Sequence, residues 1–182
     1  MKYAVLLFMA VMLQSCADTK KEVVNDVATT NETEKEDASE ALSEVNIPVY
    51  NFEQLQPWLN KQNDTTYVVN FWATWCKPCI KELPYFEEVT QQYADDKLKV
   101  ILVSLDFPDK LKDQVAPFVE KRNLKSQVVL LDDPDANGWI PKVSEEWSGA
   151  IPATVIYKNN ERRFYEKSFT REELFEEIKS IH

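Results

Sequence analysis

An apolar run of β type, residues 66–73, breaks off at Trp75-Cys76-Lys77-Pro78-Cys79, and helical spacing takes over at once with Ile80, Leu83, Phe86, Val89 and Tyr93. A strand that passes directly into a helix is half of an α/β layer unit. Further β-type runs cover 98–105, 127–131, 153–157 and 162–165. Helical patterns lie between them at about 109–122 and, more weakly, at 140–147, with Pro84 and Pro117 inside helical stretches where a missing donor should kink them. A last helix is expected to open at Thr170, a capping residue followed by Glu172, Glu173, Leu174, Phe175 and Ile178. Lys158-Asn159-Asn160-Glu161 suits a tight hairpin, with asparagine taking the left-handed backbone. The expectation is one α/β domain over 46–182.

Composition removes whole classes of chemistry. The formal net charge is -10, a poor match to nucleic acid, whose phosphates call for a basic face. Two glycines, Gly138 and Gly149, cannot build a phosphate-cradling loop, so nucleotide binding is not expected. The three methionines, Met1, Met9 and Met12, stand near the start, and His182 is the only histidine. Metal sites and imidazole catalysis are starved of their usual groups.

Residues 1–15 read as an export signal. Ten apolar residues from Ala4 to Leu13 would span only ~15 Å as a helix, about half of a bilayer's hydrocarbon core. Leu13-Gln14-Ser15-Cys16 resembles the lipobox of bacterial lipoproteins, which implies acylation of Cys16 and attachment to a lipid bilayer. Residues 17–45 hold nine acids, three lysines and no aromatic residue. Such a stretch buries too little to offset its ordering entropy, so 16–45 is expected to be a disordered acidic tether.

The remaining cysteines carry the chemistry. With a helix starting near Cys76, unpaired backbone N–H groups and the positive end of the helix dipole favour a thiolate there. Lowering a thiol from ~8.5 to ~7 would raise its thiolate fraction at neutral pH from about 3% to about half. Cys76 is therefore expected to attack, with Lys77 adding positive charge. Cys79, one turn further in, is near enough to close a disulfide with Cys76 and is the expected resolving group. A zinc site would need a second ligand pair that the chain lacks, and copper transfer is similarly unsupported.

The segment 71–79, Phe-Trp-Ala-Thr-Trp-Cys-Lys-Pro-Cys, resembles the active-site segment of thioredoxin-fold proteins, and Ala150-Ile151-Pro152-Ala153 resembles the segment that carries their cis-proline. The resemblance implies a central mixed β-sheet flanked by helices and a redox-active pair at Cys76 and Cys79. It also implies substrate contacts at Trp75, Ile151 and Pro152, with Pro152 cis. Cys76 to Pro84 is most similar to the membrane-anchored TlpA/ResA-like thiol-disulfide oxidoreductases, which carry a glutamate where Glu82 stands. That likeness implies an extra strand-helix insertion, expected within 106–131. Thioredoxins keep a buried aspartate where this chain has Asn70, and Glu82 is the nearest replacement as a proton acceptor for Cys79. Lys167 stands where a glycine borders the substrate groove, while Trp139 and Trp147 could line a substrate surface but, as large aromatics in amphipathic runs, read first as core. A peroxidase of the peroxiredoxin type shares the fold, but its proline-and-threonine signature before the reactive cysteine is absent.

The expectation is a lipid-anchored thiol-disulfide oxidoreductase of the bacterial cell envelope, facing the periplasm, that reduces protein disulfides and is recharged by a membrane thiol donor. It needs no cofactor beyond its cysteine pair. The competing reading is a tethered thioredoxin-fold binding module with a structural disulfide, although a four-residue loop constrains the unfolded chain weakly.

Overall fold

The apolar runs become strands and the periodic stretches between them become helices. A computed structural model describes residues 46–182. In order these are β1 (Val49–Tyr50), α1 (Phe52–Leu55), β2 (Thr66–Trp72), α2 (Lys77–Gln92), β3 (Leu98–Ser104) and α3 (Ala116–Arg122). They continue with β4 (Gln127–Leu131), α4 (Ala136–Val143), β5 (Ala153–Lys158), β6 (Glu161–Tyr165) and α5 (Arg171–Ile181). The sheet runs β1-β4-β3-β2-β5-β6, with β1 to β4, β4 to β3 and β3 to β2 parallel and with β5 and β6 antiparallel. This is the expected mixed sheet flanked by helices. The expected signal, tether and Cys16 lie outside the described residues. No helix among the described residues is long and apolar enough to cross a membrane.

Strand β2 is buried at every position because helices cover both faces of the sheet. Val68 and Trp72 enter one core with Leu83, Phe86, Leu174 and Ile178 from α2 and α5. Tyr67, Val69 and Phe71 enter the other with Phe52, Leu55 and Trp139 from α1 and α4. Trp139 and Trp147 are buried there, as their reading as core aromatics requires. Thr170 caps α5 in a reciprocal box with Glu173, and Asn159 has φ 53° in the β5–β6 hairpin, both as expected.

Three local expectations need correction. The run expected at 109–122 is composite: a 3-10 turn (Pro108–Lys110), a π turn (Leu111–Val115) and then α3. Pro117 has no N–H for the carbonyl four residues back, and the preceding Ala116 N–H reaches Leu111 O, five back. The helix expected at 140–147 is α4, four residues earlier, because Asp135 Oδ1 accepts from Gly138 N at 3.0 Å and Ser144 is already extended. At the start of the domain, β1 and α1 were not foreseen. Their signal was available: Asn51 and Gln54 form a capping box, each side chain bonding the other's backbone N–H at 3.0 Å. Helix α2 runs unbroken through Pro84. The stretch 106–131 holds a helix and a strand, α3 and β4.

Candidate functional site

Strands β2 and β3 are parallel and finish at the same edge of the sheet, with Trp72 opposite Ser104. Antiparallel β5 starts from that edge, with Ala153 opposite Phe71. Three chain segments therefore meet there: the turn 73–76, the segment after β3, and the segment before β5.

In the first, Cys76 N–H donates to Ala73 O at 3.1 Å, and Cys76 has an extended backbone (φ -85°, ψ 96°) as the cap of α2. Its Sγ accepts from Cys79 N–H at 3.3 Å, the place a side-chain oxygen takes in an ordinary cap. Pro78 stands in the first turn, where no backbone donor is lost. Cys76 and Cys79 form a disulfide with their Cα atoms 5.3 Å apart. The expected contrast in access is small in this state: Cys76 is 4% exposed and Cys79 0%. Both side chains pack into the core with Trp72, Ala73, Leu83 and Phe86, with Ile151 against it. Trp75, by contrast, is 60% exposed at the rim, and Lys77 is exposed beside it.

The segment before β5 carries Ile151-Pro152, whose peptide bond is cis. The Ile151 carbonyl oxygen lies 3.8 Å from Cys76 Sγ. Glu166 holds this loop, accepting from Ser148 N (2.9 Å), Ala150 N (3.2 Å) and the Ser148 hydroxyl, while the Trp147 indole donates to Ala150 O at 2.8 Å. Lys167 turns away to pair with Glu173 at 2.9 Å.

Behind the disulfide, Glu82 sits one turn beyond Cys79 and is 1% exposed. Its Oε1 accepts from Asn70 Nδ2 at 3.0 Å and its Oε2 from Phe169 N at 2.7 Å. Burial pushes its carboxyl up to about 7, against the opposing pull of the Phe169 and Asn70 hydrogen bonds. The sequence-selected residues Trp75, Cys76, Cys79, Ile151 and Pro152 thus come together at one edge, with Glu82 beneath them.

Sequence reasoning missed the clamp on the third segment. Asp106, buried just past β3, accepts from Thr74 N at 2.9 Å, the Thr74 hydroxyl at 2.5 Å and Ser104 Oγ at 2.7 Å. Gln114 Nε2 donates to Thr74 Oγ1 at 2.6 Å. An acid directly after an apolar strand, at the edge where the cysteine motif also emerges, was the signal that could have found it.

This chain matches the family described as "AhpC/TSA family" over residues 42–161. It is 40% identical over 63 residues to the thioredoxin-like protein YneN of Bacillus subtilis, covering 35% of this chain and 36% of that protein. It is 32% identical over 93 residues to the thiol-disulfide oxidoreductase ResA of Oceanobacillus iheyensis, covering 51% of this chain and 44% of that protein. The chain thus spans less than half the length of these two relatives. A solved structure, the thioredoxin-related protein from Neisseria meningitidis serogroup B, aligns with a TM-score of 0.56 at 20% identity. It covers 66% of this chain and 87% of that one, a likeness of fold.

Proposed function

Because the chain belongs to the AhpC/TSA family and holds its two motif cysteines as a disulfide at the start of a helix, we propose that it is a thiol-disulfide oxidoreductase acting on protein substrates. The observation that carries this reading is Cys76 as the cap of α2, its sulfur receiving the Cys79 N–H. An N–H aimed at the sulfur favours the thiolate as leaving group and as nucleophile.

In the reduced protein, Cys76 thiolate attacks a substrate disulfide, one substrate sulfur leaves as a thiolate, and a mixed disulfide forms. Cys79 passes its proton to Glu82 and attacks Cys76 Sγ. The second substrate sulfur leaves as a thiolate, which takes up a proton, and the Cys76–Cys79 disulfide is restored. The substrate gains two electrons and the protein loses two, which a membrane thiol donor returns. The Ile151 backbone beside cis-Pro152 offers pairing groups to an extended substrate, and Trp75 offers an exposed apolar contact. Reduction is the proposed direction, following Lys77-Pro78 and the TlpA/ResA-like motif. The proposed setting is the periplasmic side of the bacterial cell envelope, with residues 1–15 removed, Cys16 acylated and 16–45 serving as the tether. The cysteine pair is the whole redox apparatus, with no cofactor.

The 4% exposure of Cys76 is the one observation that favours a binding module with a structural disulfide. Alkylation separates the two. After mild reduction, the oxidoreductase has one thiol modified with a midpoint below the ordinary ~8.5, and turnover of insulin disulfides that Cys76→Ser abolishes. Two sulfurs inert to iodoacetamide, or turnover that survives Cys76→Ser, would overturn the proposal. Trapping with Cys79→Ala stalls the mixed disulfide and captures the substrates.

A further inference from the structure

Among the described residues three large apolar side chains are exposed: Val49, Trp75 and Phe107. Phe107 is 72% exposed, more than Trp75, and neither ring joins the packed side chains on either face of the sheet. A lone exposed apolar residue is common on soluble proteins and needs no explanation. These two are not independent of each other. Trp75 follows Thr74 and Phe107 follows Asp106, the two partners of the clamp, so both rings leave the backbone one residue past the same buried carboxylate. Val49 stands two strands further out, on β1 beyond β4.

The backbone under Phe107 is fixed from both sides. Asp106 takes three donors, and the Phe107 carbonyl receives the Lys110 N–H at 2.9 Å. The charges that follow neutralise each other, with Lys110 paired to Asp109 at 3.0 Å, so the ring is the distinguishing feature of this segment. An aromatic side chain held out on an ordered backbone gives up little conformational freedom when a partner covers it.

Sheet order sets this pair against the sulfur. Strand β2 lies between β3 and β5, so Cys76, leaving β2, has the Phe107 segment on its β3 side and Ile151 on its β5 side. Neighbouring strands stand ~4.8 Å apart, and an extended chain advances ~3.3 Å per residue. The residues next to a substrate cysteine, up to two positions away, lie within ~7 Å of it, enough to span that spacing.

We propose that Phe107, together with Trp75, determines specificity: the site favours disulfides whose cysteine has a large apolar side chain within two residues of it in an extended chain. The inference rests on the oxidoreductase reading above and adds the side chains that reading left unspecified. The Ile151 backbone offers only main-chain groups, which pair with any sequence. Choice between sequences has to come from side chains, and these two rings are the exposed apolar ones beside the cysteine motif. No bond, proton or electron changes partner at Phe107, so the exchange proceeds as written above.

The test uses the reduced full-length protein and two synthetic peptides, each dimerised through a single cysteine. One carries phenylalanine two residues to either side of the cysteine, the other serine. The protein is oxidised to its Cys76–Cys79 disulfide as each peptide dimer is reduced to two thiols, and the second-order rate constants are compared. Wild type is expected to reduce the phenylalanine peptide about tenfold faster, the equivalent of one aromatic contact at each ring. Phe107→Ala is expected to cut that preference to about threefold, and Phe107→Leu to hold it between the two. Because the ring joins neither core, the substitution does not threaten folding. Equal rates on the two peptides in wild type, or a preference unchanged in Phe107→Ala, would overturn this inference while leaving the oxidoreductase reading in place. Failure to reduce either peptide would overturn that reading and this inference with it. Wild-type dimers in sedimentation that Phe107→Ala dissolves would assign the ring to a second copy of the chain and overturn its role toward substrates.

Discussion

Two neighbouring backbone amides ahead of α5 each serve a carboxylate, with opposite results. Phe169 N–H donates to Glu82 at 2.7 Å and Thr170 N–H to Glu173 at 2.9 Å. Glu82 is nevertheless pushed up to about 7 and Glu173 down to about 2. The bond type and its length are nearly the same, so they do not set the sign. For Glu82, loss of water outweighs the Phe169 and Asn70 bonds. At the solvent-facing N-terminus of α5 there is little water to lose, and the Thr170 backbone bond acts first, helped by Lys167 and the Thr170 hydroxyl. Burial thus keeps one carboxyl near neutrality one turn beyond Cys79, and exposure leaves the other a permanent anion where a helix is capped.

The largest effect should come from removing the buried charge. Glu82 binds its proton more tightly in the folded state, so its contribution to stability is full below about 4.5 and is lost as pH rises through about 7. Above pH 8, Glu82→Gln is expected to be more stable than the wild type by about 3 kcal/mol, the equivalent of that displacement. The difference should shrink toward zero at pH 4. The same variant is expected to lose about 100-fold in disulfide exchange at pH 7, the lower end of general acid–base contributions. Urea unfolding at pH 4 and pH 8, with insulin reduction alongside, checks both. A variant less stable than wild type at pH 8 would break the comparison.

Asp106 sharpens it from the other side, as a second buried acid near the site with three donors where Glu82 has two. Asp106→Asn replaces one acceptor oxygen by an N–H₂ group. Because Oδ2 takes both the Thr74 N–H and Ser104 Oγ, the asparagine keeps its oxygen there and sets the N–H₂ against Thr74 Oγ1, which already receives Gln114 Nε2. Loss of the charge-assisted hydroxyl bond is therefore expected to cost about 1–3 kcal/mol at pH 7. Two buried acids would then respond to the same Glu/Asp-to-amide change with opposite signs. Thermal unfolding at pH 8 reads both variants in one experiment, and a stabilised Asp106→Asn would remove the distinction.

What was legible in the sequence follows the range of the interactions involved. The cysteine motif, the strand cores and the Thr170 cap are written in adjacent residues, and each was found where it was expected. Glu82 was legible as a candidate through the resemblance of Cys76–Pro84 to the TlpA/ResA-like motif, but its burial was not. Strand β2 is buried on both faces and carries apolar side chains on each, so no polar-apolar alternation says which face receives α2. The Asp106 clamp joins residues 32 apart in the chain, and its geometry depends on the β2–β3 register. Strand β1 has two residues, too few for any period. The π turn before Pro117 depends on which carbonyl the displaced N–H groups reach, which apolar spacing does not encode.

The smallest effect belongs to Glu173. Its carboxyl is held below the ordinary range by the Thr170 backbone N–H first, then by Lys167 and the Thr170 hydroxyl. A depressed acid stabilises the fold at pH values above about 4.5, and this contribution is lost as pH falls toward about 2. Glu173→Gln keeps an oxygen for the Thr170 N–H and removes only the charge, so it should lower the melting temperature slightly at pH 7 and not at all near pH 2. Because the group faces solvent, added salt should shrink the difference further. Salt should leave the Glu82→Gln stabilisation at pH 8 nearly intact, since that arises from a desolvated charge that counterions do not reach. Melting curves at low and high ionic strength therefore test whether water alone separates the two carboxylates. Equal salt sensitivity in the two variants would mean that Glu82 is solvated after all.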